Sequence, residues 1–192
     1  PFGGLNTMKK RIMIAGLGGQ GVVLSARLLG QAGVIEKKYA AQSSTYGPES
    51  RGTLCRAEVI ISDEPIDYPY ITEADFLIAL AQEGYEKFSD NVKDTILFDP
   101  KVVSPHVQTT TRHIPIPTTE IVLKELGNKT VTNIIMLSAL AGCTSLVSKE
   151  SLAEAVRITV GKEFYELNLK ALDLGWRLGL EVGIKCLKAI RS

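Results

Sequence analysis

Histidine and cysteine are scarce, two and three in 192 residues. Cys55, Cys143 and Cys186 stand far apart with no C-x-x-C pair, so thiolate spacing for zinc or an iron–sulfur cluster is absent. The odd count fits a reducing compartment in which all three are small buried apolar residues. His106 and His113 lie in a proline-rich stretch without ligand spacing or an adjacent nucleophile, and read as loop residues. No metal site is expected. Charge of one sign is lacking too: 22 Lys+Arg stand against 21 Asp+Glu, a net charge of +1. The chain therefore has no overall pull on nucleic acid or anionic lipid, and neither partner is expected. Long apolar runs are also missing. The charge-free span Thr130–Ser148 holds Thr132, Asn133, Ser138 and Thr144, too polar to cross a bilayer, and reads as a buried helix. Without G-x-S-x-G, G-x-x-x-x-G-K-[ST] or H-E-x-x-H, hydrolase, P-loop and zincin chemistry have no support. No secretory pattern opens the chain, so a cytoplasmic protein is expected.

What is present is ordinary globular composition, 45% hydrophobic and 22% charged. Residues 8–192 suffice for one well-buried α/β domain, and residues 1–7, patternless before Met8, are set aside as an appended or disordered extension. Arg11–Ala15 is a strand, followed by glycines and a helix from Val22. Tyr39–Ser43 reads as the second strand of a parallel pair. From Cys55 to Ile61 apolar residues alternate with Arg56 and Glu58, the pattern of a strand with one wet face. Asp75–Ala81 and Thr95–Asp99 read as buried parallel strands flanking a short helix, Glu83–Phe88. A short strand near Thr110–Ile114 precedes a helix capped by Thr118 and ended by Gly127, and Asn133–Cys143 and Ser148–Arg157 give two more. Glu163–Ile190 is a long terminal helix with at most one break. The fold expected is a single Rossmann-like three-layer α/β domain, a mostly parallel sheet with helices on both faces. Gly175, Gly179 and Gly183 recur every fourth residue in the last helix. Each costs about 1 kcal/mol relative to alanine, so another backbone must come close there, either this domain's own sheet or a partner helix.

Gly16-Leu17-Gly18-Gly19-Gln20-Gly21 satisfies G-x-G-x-x-G between strand and helix, where free amides and the helix dipole favour a phosphate. The same glycines also permit a tight turn with no ligand. A dinucleotide site further wants an acid at the end of the second strand, and Gln42-Ser43-Ser44-Thr45 stands there instead. Glu36 belongs to the end of the first helix. Next comes Tyr46-Gly47-Pro48-Glu49-Ser50-Arg51-Gly52, a shaped loop beside the glycine turn. Its Arg51 can grip a phosphate or carboxylate bidentately, or simply pair with Glu49 in an ordinary turn.

Gly16–Gly21, Tyr46–Gly52 and Ile61-Ser62-Asp63-Glu64-Pro65-Ile66, in this order and spacing, resemble the gamma subunit of 2-oxoacid:ferredoxin oxidoreductases over about Arg11 to the C-terminal helix. Thr53 departs from a second glycine frequent in that family. The resemblance implies a non-catalytic subunit of an enzyme that decarboxylates a 2-oxoacid oxidatively, forms the acyl-coenzyme A and reduces ferredoxin. The 2-oxoglutarate branch is favoured over the pyruvate, ketoisovalerate and indolepyruvate branches. It implies alpha, beta and delta subunits as partners, and thiamine diphosphate with Mg, iron–sulfur clusters and coenzyme A in the complex, none assigned to this chain. Residues carried over are Gly16, Gly18, Gly19, Gln20, Gly21 and Arg51 as a phosphate or coenzyme A site, and Tyr46–Gly52 as a loop facing a partner or the active site. No catalytic residue is assigned. The isolated chain is expected to be able to form a homodimer through surfaces that partners cover. A stand-alone NAD(P)-dependent oxidoreductase and a purely structural assembly module are the competing readings.

Overall fold

The computed structural model describes residues 8–46, 52–106, 111–127 and 129–190. Strand β1 (Lys9–Leu17) feeds helix α1 (Val22–Ile35), whose N-cap, Gly21, takes φ 75°. Then follow β2 (Tyr39–Tyr46), β3 (Leu54–Ser62), β4 (Ala74–Ala79), α2 (Gln82–Phe88), β5 (Val92–Phe98) and β6 (Arg112–Pro115). The C-terminal part is helical: α3 (Thr118–Ile121), widening into π turns over Val122–Leu126, then α4 (Thr132–Thr144), α5 (Lys149–Thr159) and α6 (Tyr165–Ile190). Gly127, at φ 64°, ends the α3 segment as its sequence position predicts.

The six strands lie in the order β2-β3-β1-β4-β5-β6. β1, β4, β5 and β6 pair parallel, whereas β3 is antiparallel to both β1 and β2. This corrects the expectation that β2 is the parallel neighbour of β1. The two run in the same direction, but β3 returns between them. Burial explains the choice: β3 brings Ala57, Val59, Ile60 and Ile61, all under 2% exposed, and gains most from a central position. β2, with Gln42, Ser43, Ser44 and Thr45, suits the edge. The wet face expected for β3 is likewise overturned, since Glu58 and Ile60 are buried against the second layer.

Alternation along the strands splits the core. Ile12, Ile14, Val59 and Ile78 pack under α1, α4 and α5, and Met13, Ile60, Leu77 and Tyr85 pack on the other face, around α2. Helix α4 is buried almost all round because the sheet lies on one side of it and α6 on the other. The glycines of α6 make this approach possible. A Cβ on Gly175 would lie 2.2 Å from the Ile135 carbonyl oxygen and one on Gly179 2.3 Å from that of Ala139, whereas Gly183 stands 3.5 Å from Cys143. The close backbone is thus that of this chain's own α4, neither the sheet nor a partner helix. α6 is unbroken, and Phe164, placed by sequence on its buried stripe, is exposed just before it.

Among the described residues no helix is long and apolar enough to cross a membrane. Of the cysteines, Cys55 is buried and Cys143 half-buried, and the side chain of Cys186 lies outside the described residues.

Candidate functional site

The glycine turn sits at the carboxyl end of β1, and its own side chains fill it. The Gln20 amide oxygen accepts the Leu17 N–H at 2.6 Å, and its nitrogen donates to the Leu80 carbonyl at 3.1 Å. A Cβ at Gly16 would fall 2.5 Å from that oxygen, so Gly16 makes room for Gln20. At the other end Asn133, 3% exposed, donates to the Gly21 carbonyl at 3.2 Å and to Ser25 Oγ at 3.0 Å, clamping α4 to α1. A Cβ at Gly21 would strike the Asn133 amide at 2.4 Å. Two glycines of the fingerprint therefore admit side chains. Gly19 differs: at φ 97° it has nothing within 4 Å of a Cβ and faces open space.

That space is a cavity of about 480 Å³ lined by Gly19, Gln20, Leu80, Lys101, Thr119 and Thr132, among others. It lies where α1 leaves β1 on one face of the sheet and α2 leaves β4 on the other, the crevice in which open α/β sheets bind ligands. The helix α1 starts at it without a side-chain cap, so the first amides of α1 point towards it. Lys101 is the cation of the lining, 3.8 Å from Glu120 and exposed. Its loop is fixed by Asp99, 2% exposed, which accepts the Lys101 amide at 2.9 Å, the Thr118 hydroxyl at 2.6 Å and the Thr119 amide at 2.6 Å. Desolvation raises the Asp99 pKa, but these donors outweigh it and hold the carboxyl below its ordinary range. Asp99, not Thr118, caps α3.

The β2–β3 hairpin loop starts beside this crevice. The Gly18 amide donates to the Thr53 carbonyl at 2.9 Å, and Gly52, at φ 76°, lies next to it. The structure thus brings together Gly16, Gly18, Gly19, Gln20, Gly21, the backbone of Tyr46 and Gly52. Gly47, Pro48, Glu49, Ser50 and Arg51 lie outside the described residues. Gly175, Gly179 and Gly183 are elsewhere, spent on α4.

Asp99, Lys101, Thr119, Thr132 and Asn133 were not singled out from sequence. Their signal was position: each follows the carboxyl end of a strand or opens a helix, where the fold rule places ligands. His113 lies on β6 rather than in a loop, its Nε2 2.9 Å from the hydroxyl of fully buried Tyr85. Among the described residues no group of His, Cys, Asp or Glu can hold a metal ion. A dinucleotide site also loses its geometry. The end of β2 stands two strands from β1, about 10 Å away at the usual strand spacing, and Glu36 instead accepts the amide of Ser148, the N-cap of α5.

The profile of the pyruvate ferredoxin/flavodoxin oxidoreductase family matches residues 11–178. The chain belongs to this family. Within the oxidoreductase family, 2-oxoglutarate synthase subunit KorC of Methanocaldococcus jannaschii is 40% identical over 182 residues, 91% of this chain and 96% of that one. Ketoisovalerate oxidoreductase subunit VorA of Methanothermobacter thermautotrophicus is 36% identical, but this chain spans only 35% of its length. The gamma subunit of a keto/oxoacid ferredoxin oxidoreductase from Geobacter sulfurreducens has the same fold, with TM-score 0.81 and 34% identity, covering 91% of this chain and 98% of that one. The chain thus matches gamma-type subunits over nearly their whole length.

Proposed function

We propose that this chain is the gamma subunit of a 2-oxoglutarate:ferredoxin oxidoreductase, a cytoplasmic enzyme in which residues 8–192 form one non-catalytic domain. The observation that carries the reading is the end-to-end match to a 2-oxoglutarate synthase subunit, 40% identical across 96% of that chain. Its partners are then the alpha, beta and delta subunits and, through them, ferredoxin. Oxidative decarboxylation to an acyl-coenzyme A belongs to thiamine diphosphate and clusters on those chains. The described residues offer no set of His, Cys, Asp or Glu that would hold a metal ion or cluster. They do fit a phosphate. Gly19 leaves its backbone open, the uncapped start of α1 faces the cavity, and Lys101 supplies a cation. This chain's part is to hold the phosphates of coenzyme A there, with Arg51 as a second cation from the hairpin loop.

Replacing Gly18 with Val and Arg51 with Ala in the assembled enzyme tests this. The Michaelis constant for coenzyme A is expected to rise about tenfold or more, as for a lost charged contact, with that for the oxoacid unchanged. Unchanged constants in an intact complex would refute the coenzyme A contact.

A further inference from the structure

The two edges of the sheet are finished differently. β6 is four residues long, carries Arg112 and His113, and ends at Pro115 with Pro117 close behind. Shortness, charge and proline are the devices that stop another strand from adding to an edge. β2 has none of them. It spans eight residues, Tyr-Ala-Ala-Gln-Ser-Ser-Thr-Tyr, with no charge and no proline, and pairs with β3 in unbroken register. Among the described residues no strand meets its outer row of N–H and C=O groups. Gln42, Ser44 and Thr45 are exposed, Tyr39 is 49% exposed, and Val34 of the adjoining helix 53%. Between helix and strand runs a groove of about 180 Å³ lined by Arg27, Gln31, Val34, Ala40 and Gln42.

We propose that β2 is an interface strand, covered by the β2 of a second copy of this chain. The two strands pair antiparallel about a two-fold axis normal to the sheet, so the two six-stranded sheets become one. Such an axis keeps each face on its own side, so only residues of the same parity oppose each other. Gln42 then lies on the axis opposite its own copy, or one residue from it opposite Ser44. Either way seven uncharged residues meet seven uncharged residues, and no like charges oppose each other along the strands. The same axis sets the two α1 helices side by side on one face, turning each groove and each Val34 towards the seam. A strand of another protein would need a matching sequence of its own; the chain already carries one that matches itself.

Sedimentation velocity of the full chain, with amide exchange at β2, reads the association directly. The wild type is expected to reach twice 20.8 kDa as concentration rises, with exchange slowing at β2. Gln42→Lys sets like charges together at the seam and is expected to weaken the dimer about tenfold or more. Because Gln42 is exposed, the variant keeps its fold, which circular dichroism checks. Mixing Gln42→Lys chains with Gln42→Glu chains is expected to restore a dimer. The proposal is overturned by a wild type that stays at 20.8 kDa, by a dimer indifferent to Gln42→Lys, or by β2 amides that slow only when another subunit of the enzyme is present.

Discussion

A single carboxylate, Glu36, joins the end of α1 to the start of α5. It accepts the Ser148 amide at 2.5 Å, the Ser151 hydroxyl, and Lys38 Nζ at 2.9 Å. Desolvation raises its pKa, but the bonds from Ser151, Lys38 and Ser148 prevail and bring it from 4.5 to about 2. A carboxyl whose folded pKa is depressed stabilises fully above its unfolded value and loses that contribution as pH falls through the folded one. Here the loss runs from about pH 4.5 down to about 2. Glu36→Gln is expected to cost on the order of 2 kcal/mol at pH 7, allowing for screening by water, and much less near pH 2. Urea unfolding at both pH values checks this, and an equal loss at both would contradict it. Cys55 gives a second residue-scale expectation: burial raises its thiol pKa, so thiol reagents at neutral pH should label it only after unfolding. Neither environment is legible in sequence. Glu36 meets Ser148 and Ser151 across more than a hundred residues, and only the folded chain brings them within reach.

At the scale of elements, most of the chain was readable, because apolar runs and helical periodicity report burial directly. The strand boundaries moved by a few residues and the helices by one or two. What sequence did not give was neighbourhood. Tyr39–Ser43 and Cys55–Ile61 are visibly strands, but whether β3 lies inside or outside β2 is decided by which buries more apolar surface in the finished sheet. For the same reason Glu58 read as wet and is buried, because alternation records polarity, not the layer that later covers it. The glycine stripe of α6 was legible as a close approach but not as an approach to α4. Its members are not equivalent, and this is testable. Gly175→Ala and Gly179→Ala drive a methyl into backbone carbonyls at 2.2 and 2.3 Å and are each expected to cost about 2–3 kcal/mol. Gly183→Ala, with 3.5 Å to spare, is expected to be neutral or to stabilise by up to about 1 kcal/mol through helix propensity. Chemical denaturation of the three variants measures the order. Equal effects would show that packing on α4 does not decide the stripe.

For the whole molecule, the site was only half legible. The glycine turn announced itself, yet Gln20 and Asn133 occupy two of its glycines, and the open part of the crevice is lined by Lys101, Thr119 and Thr132 from segments distant in sequence. The proposed role is that of a gamma subunit whose open cavity, beside the hairpin loop, holds a substrate's phosphates while partner chains carry the chemistry. Purification of this chain at native levels from its source, with mass spectrometry and assays for thiamine and iron in the eluate, tests that claim most directly. The account predicts stoichiometric thiamine- and cluster-bearing companions and dye reduction that depends on 2-oxoglutarate and coenzyme A. A chain that came through alone and bound NAD(H) would contradict it.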